Sequence, residues 1–142
     1  DTVFQGAKTR TRVEGSFPNV QGALKGLTGV KLEGYEIHMG VSSLREGARP
    51  LVNIMDTVKR TSKEDGAYKG NVYGSYVHGI FDKEEVAKKI VEAIGDLKGL
   101  DVSQMTGVDF AEFKETQYDI LASELRKHLD MKKIYEILEA GI

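Results

Sequence analysis

A chain of 142 residues that is 40% hydrophobic and 30% charged has the size and balance of one globular domain, large enough to bury a core without metal or disulfide support. Its 20 basic residues against 22 acidic ones leave a net charge of −2, with no excess to neutralise a phosphate backbone, so nucleic acid is not an expected partner. The absence of cysteine excludes disulfides, thiolate metal sites and a cysteine nucleophile on this chain, and no apolar run approaches the ~20 residues that a membrane helix needs.

In chain order, the β-branched stretch from Lys8 to Phe17 predicts a strand. Residues 19–29 carry Gly22, Gly26 and Gly29 and predict a loop with one helical turn. Residues 30–41 alternate apolar and polar residues, but the apolar phase slips by one across Glu33-Gly34, which predicts a β-bulge at the glycine. Beyond it, Glu36 and His38 fall on one face of the strand. A second strand is predicted over Leu51–Val58. After a turn at Glu64-Asp65-Gly66 a third runs from Asn71 to Val77, into Tyr76-Val77-His78-Gly79.

From residue 82 onward the chain reads as helix. Asp82 with Glu85 forms a capping-box pattern ahead of an apolar stripe of Val86, Ile90, Ile94 and Leu97. Asp109 with Glu112 opens a second helix carrying Phe110, Phe113, Ile120, Leu121 and Leu125. Asp130 caps a third, with Ile134 and Leu138 expected inward and Gly141 at its end. The fold class is therefore α/β, with a partly antiparallel sheet leading into three carboxyl-terminal helices. The chain starts at Asp1 rather than at methionine, so it is expected to be processed or cut from something longer.

No two glycines lie two positions apart, which excludes the dinucleotide fingerprint. Gly29/Gly34 and Gly74/Gly79 have P-loop spacing without the following Lys-Ser or Lys-Thr. The three histidines lack metal-ligand spacing, and His128, between charged neighbours, reads as a solvated surface residue. His78 stands at the carboxyl end of a predicted strand, before a glycine and a helix start, where α/β proteins gather ligands and catalytic groups. A half-buried strand histidine held by one hydrogen bond has the same position, and spacing alone does not separate the two. Glu36 and His38 pose the same choice. They can orient or titrate one another, or they can form the polar face of a half-solvated antiparallel strand.

The segment GYEIHMG at 34–40 and the segment NVYGSYVHGIFD at 71–82 resemble the glutaminase domain of the cobyric acid synthase family, glutamine-hydrolysing amide ligases of cobalamin biosynthesis. The segments DTVFQGAKTRTRVEG at the start and YDILASELRKHLDMKKIYEIL at 118–138 extend the likeness over nearly the whole chain. The resemblance implies a class I glutamine amidotransferase-like, flavodoxin-like three-layer fold, of which residues 1–142 would be one partial domain, the carboxyl-terminal part with a mixed sheet. An ATP-dependent synthetase domain, using ATP and Mg2+, and the nucleophile-bearing half of the glutaminase domain would lie before Asp1.

By the same resemblance His78 is the catalytic histidine, and a cysteine from the missing half is its partner. Class I members often carry a glutamate two residues after this histidine, whereas Ile80 occupies that place here. Either the centre is a cysteine–histidine dyad or another carboxylate orients the imidazole, with Glu36 the candidate for that role, and His38 is the expected substrate contact. The implied partners are glutamine, a corrinoid and the remainder of the same polypeptide, in the cytoplasm. Self-association of the isolated piece through its open edge and exposed apolar faces is also expected. A related a,c-diamide synthase, or an interaction module that kept the fold without the chemistry, are the competing readings.

Overall fold

In the computed structural model, which describes residues 1–105 and 107–141, the strands precede the helices in the order read from the sequence. The first strand, β1 (Thr2–Ser16), starts earlier than expected, because its amino-terminal end has the end of β2 (Lys31–Ser42) to pair with. β3 (Val52–Asp56) lies on the other side of β1, and β4 (Ser62–Asp65) closes that edge. β5 (Ala67–Lys69) and β6 (Val72–Gly74) form a separate hairpin, and β7 (Val77–His78) joins the free side of β2. The five-stranded order is β4-β3-β1-β2-β7.

A mixed sheet was expected, but every pairing among the described strands is antiparallel. The reason is connectivity. Parallel neighbours need a long crossover, usually a helix, and here every α-helix follows the last strand.

The bulge expected at Gly34 is absent. Pairing runs without interruption from Thr9↔His38 to Ser16↔Lys31, with Gly34 opposite Val13. The irregularity lies instead between Phe4 and Thr9 of β1. Since the backbone keeps its period of two, the slip in the sequence is a change in what faces inward. Leu32 points into the core, and Gly34, Glu36, His38 and Gly40 continue that face. Tyr35, Met39 and Val41 stand on the opposite, solvent-open face.

Gly34 has a different task. A β-carbon there would sit 2.3 Å from the main-chain oxygen of His78, so only glycine lets β7 close on β2.

The expected third strand is broken at Ser75-Tyr76. The buried Asp65 carboxylate accepts hydrogen bonds from the Ser75 hydroxyl (2.8 Å) and the Tyr76 amide (3.2 Å), diverting the chain between β6 and β7. β4 escaped sequence reading because Ser-Lys-Glu-Asp has no apolar alternation, as suits an edge strand.

The core lies on one face of the sheet, where Val13, Leu32, Ile54 and Val77 meet Leu27 from the short 3-10 segment Gly22–Leu27 and Val86 from α1 (Glu84–Lys98). Full burial of a side chain such as Val86 contributes about 2 kcal/mol. α1 starts one residue later than expected. Asp82 does not cap it: its amide donates to the Gly79 carbonyl in a turn, and Lys83 occupies the cap position without a side-chain bond. The expected apolar stripe is only partly used, with Val86 and Ile90 against the core and Ile94 and Leu97 exposed.

The chain divides into two compact units, Asp1–Val108 and Asp109–Ile142. The second holds α2 (Phe110–His128) and α3 (Met131–Ala140). Asp109 caps α2 by accepting from the amides of Ala111 and Glu112, and Asp130 caps α3 by accepting from that of Lys133, as the sequence predicts. Gly141 ends α3 in the left-handed conformation. Neither helix buries a residue, so Leu138, expected inward, is exposed. Among the described residues no helix is long and apolar enough to cross a membrane.

Candidate active site on β2 and β7

Two clusters lie on opposite faces of the β2–β7 pair. On the solvent-open face, the register partners Tyr35 and His78 stack their rings, with centroids 5.1 Å apart and planes at 19°. Arg12 of β1 is the partner of Tyr35 on its other side, so Arg12, Tyr35 and His78 form a row across three strands. The His78 ring is exposed, and among the described residues it makes no side-chain hydrogen bond. Gly79, at φ +77°, turns the chain sharply behind it, a conformation glycine adopts without penalty. The histidine thus sits at the rim of the sheet, as its place before a glycine predicts.

The second cluster faces inward. Glu36 is only 1% exposed, so the exposed polar face that the strand pattern allowed is not what forms. Its Oε1 accepts from Lys63 Nζ at 2.9 Å and lies 3.2 Å from His38 Nε2. His38 Nδ1 lies 2.7 Å from the Gly40 carbonyl. Both ring nitrogens therefore face acceptors. The Lys63 ammonium on Glu36 Oε1 offsets the desolvation of the carboxylate, which unpaired would cost several kcal/mol.

Tyr76 stacks on His38 at 4.6 Å, and its hydroxyl lies 2.7 Å from Ser42 Oγ and 3.3 Å from Thr2 Oγ1. Hydrogen bonds from Ser42 and then Thr2 hold the phenol below its ordinary pKa. A cavity of about 670 Å³ opens beside this cluster, lined by His38, Ser42, Lys63, Asp65 and Tyr76.

Of the three residues singled out in the sequence, Glu36 and His38 are brought together and His78 is kept apart from both. Glu36 pairs with Val77 in the ladder while His78 pairs with Tyr35, and successive residues of a strand point to opposite faces. Glu36 and the His78 imidazole therefore lie on opposite faces, so the expected pairing of the two is not what the described residues form. The expected substrate role of His38 meets a related difficulty, because both its ring nitrogens are already engaged within the chain. Sequence reasoning missed Lys63, on a strand with no apolar pattern. It also missed the two tyrosines, which nothing distinguished from core aromatics.

Comparison with known proteins fits this picture. Residues 1–86 match the family described as the CobB/CobQ-like glutamine amidotransferase domain. Over 99% of its length the chain is 46% identical to a protein of Ruminiclostridium cellulolyticum named cobyric acid synthase, covering 28% of that protein. Proteins of the same name from Lachnoclostridium phytofermentans (38% identity over 100% of the chain, 29% of the relative) and Yersinia enterocolitica (38% over 98%, 28% of the relative) are similar over the same extent. The chain thus spans a little over a quarter of the length of these relatives. On the strength of the family match and the relatives together, the chain belongs to the CobB/CobQ-like glutamine amidotransferase domain family.

Proposed function

We propose that the chain is the histidine-bearing part of a glutaminase that supplies ammonia for ATP-dependent amidation of a corrinoid, in the manner of cobyric acid synthase. The observation that carries the reading is His78. Its ring is exposed at a sheet rim, free of side-chain hydrogen bonds among the described residues, inside a segment that matches a glutamine amidotransferase family.

The chemistry needs two groups. A thiolate attacks the side-chain amide carbon of glutamine, and an imidazole supports that thiolate and then protonates the departing ammonia. The chain has no cysteine, so the thiolate comes from another segment of the intact polypeptide. Water then cleaves the thioester to glutamate, and the ammonia attacks a carboxylate activated by ATP with Mg2+ in a separate synthetase domain. In this reading the chain belongs to a class I, three-layer glutaminase domain completed by that other segment. Glu36 and His38 do not take part in the chemistry; with Lys63 they fix β2, and through β2 the position of β7.

The test follows the nitrogen. The intact polypeptide is supplied with glutamine labelled with 15N in the amide, ATP, Mg2+ and a corrinoid a,c-diamide. We expect the label in the new amides of the product. Labelling only when the a,c-diamide is replaced by cobyrinic acid would assign the related a,c-diamide synthase instead. Absence of label from both, with the protein folded, would favour a module without the chemistry.

A further inference from the structure

We infer that Tyr35 is the positioning residue for the His78 imidazole, taking by ring stacking the role that a carboxylate plays in a cysteine–histidine–acid triad. The inference rests on the reading of His78 as the glutaminase imidazole. Three observations lead to it. Position 80, where many class I members carry a glutamate, is Ile80, which cannot accept a hydrogen bond. The buried carboxylate nearest in sequence logic, Glu36, lies on the other face of β2 and is held by Lys63 and His38. The Tyr35 ring lies parallel to the imidazole at 5.1 Å, and no hydrogen bond to the imidazole competes with it among the described residues.

The placement is rigid from below. Tyr35 and His78 are register partners, and Gly34 lets the two backbones approach. Directly opposed aromatic pairs attract one another, which biases one orientation of an exposed ring. Stacking also leaves both nitrogens open. One can face the thiolate while the other stays accessible to water. A stacked ring holds the plane of the imidazole without fixing its tautomer, unlike a carboxylate, so the proton is free to move between attack and ammonia release.

The experiment compares Tyr35→Leu, Tyr35→Phe and His78→Ala in the intact polypeptide. Glutamine-dependent and ammonia-dependent rates are measured, together with the NMR position of His78 Hε1 in selectively labelled protein. Tyr35→Leu is expected to lower the glutamine-dependent kcat about fivefold, with KM for glutamine and the ammonia-dependent rate within twofold of the parent. Tyr35→Phe is expected to restore kcat, because the ring and not the hydroxyl does the holding. The Hε1 resonance should show a ring-current displacement in the parent and in Tyr35→Phe, and lose it in Tyr35→Leu.

Several results would overturn the inference: an unchanged kcat in Tyr35→Leu, a rise in KM alone, a parallel fall of both rates, or an Hε1 signal that ignores the substitution. Full glutamine-dependent activity in His78→Ala would instead remove the underlying reading of His78, and the NMR signal keeps the two failures distinguishable.

Discussion

His78→Ala in the intact polypeptide is expected to lower the glutamine-dependent rate by about 10³-fold and to leave the ammonia-dependent rate within twofold of the parent. A positioned acid–base group contributes 10²–10⁴-fold, and this imidazole is asked both to support the thiolate and to protonate the leaving ammonia. Supplied ammonia bypasses both tasks. Loss of fold does not explain such a result, because the side chain is exposed and, among the described residues, rests on the Tyr35 ring. Its removal costs less than about 1 kcal/mol. A glutamine-dependent rate within tenfold of the parent would contradict the assignment.

Gly34→Ala is expected to damage both stability and catalysis. The added carbon would lie 2.3 Å from the His78 carbonyl oxygen and 2.6 Å from Val77 Cγ1. Neither atom can yield cheaply. The first belongs to the main chain of a two-residue strand, and the second to a buried side chain. Relief requires β7 to move away by about 1 Å, which weakens the Tyr35↔His78 and Glu36↔Val77 pairing. Overpacking of this kind costs about 1–3 kcal/mol. At a few degrees per kcal/mol, the melting temperature should fall by roughly 5–10 °C. The same movement carries the imidazole, and a 1 Å misplacement costs on the order of 10²-fold in rate. Gly74→Ala is the control, because a carbon at position 74 meets nothing within 4 Å. Equal behaviour of the two variants in thermal unfolding and in glutamine-dependent kcat would show that the close approach at Gly34 does not set the position of β7.

The helices were legible because their signals are local. Asp109 and Asp130 cap where they are read, and Gly141 stops α3. Asp82 misled because a cap needs the right backbone conformation as well as an acidic side chain, and its amide is held in the Gly79–Asp82 turn. The strand pairing was less legible, since the slip at Gly34 has two structural solutions, a bulge or an inward polar row. Choosing between them needs the tertiary partner Lys63, whose own strand carries no apolar pattern.

His78 was legible as a rim residue from Gly79 and its place after a strand, but its neighbour was not. Which side chain stands beside the imidazole depends on the register between β2 and β7, and with residues alternating faces a one-residue difference exchanges Glu36 for Tyr35. The apolar row on the open face, from Tyr35 to Val41, is the kind of surface that self-association or a covering segment would bury.

The claim on which the account turns is that the His78 imidazole acts on a cysteine brought by another segment. The most direct measurement is the rate of alkylation of that cysteine in the intact polypeptide as a function of pH, for the parent and for His78→Ala. The account predicts that the parent thiol ionises below the ordinary cysteine value of about 8.5 and that the substitution returns it toward that value. Superimposable alkylation profiles for the two proteins would contradict it.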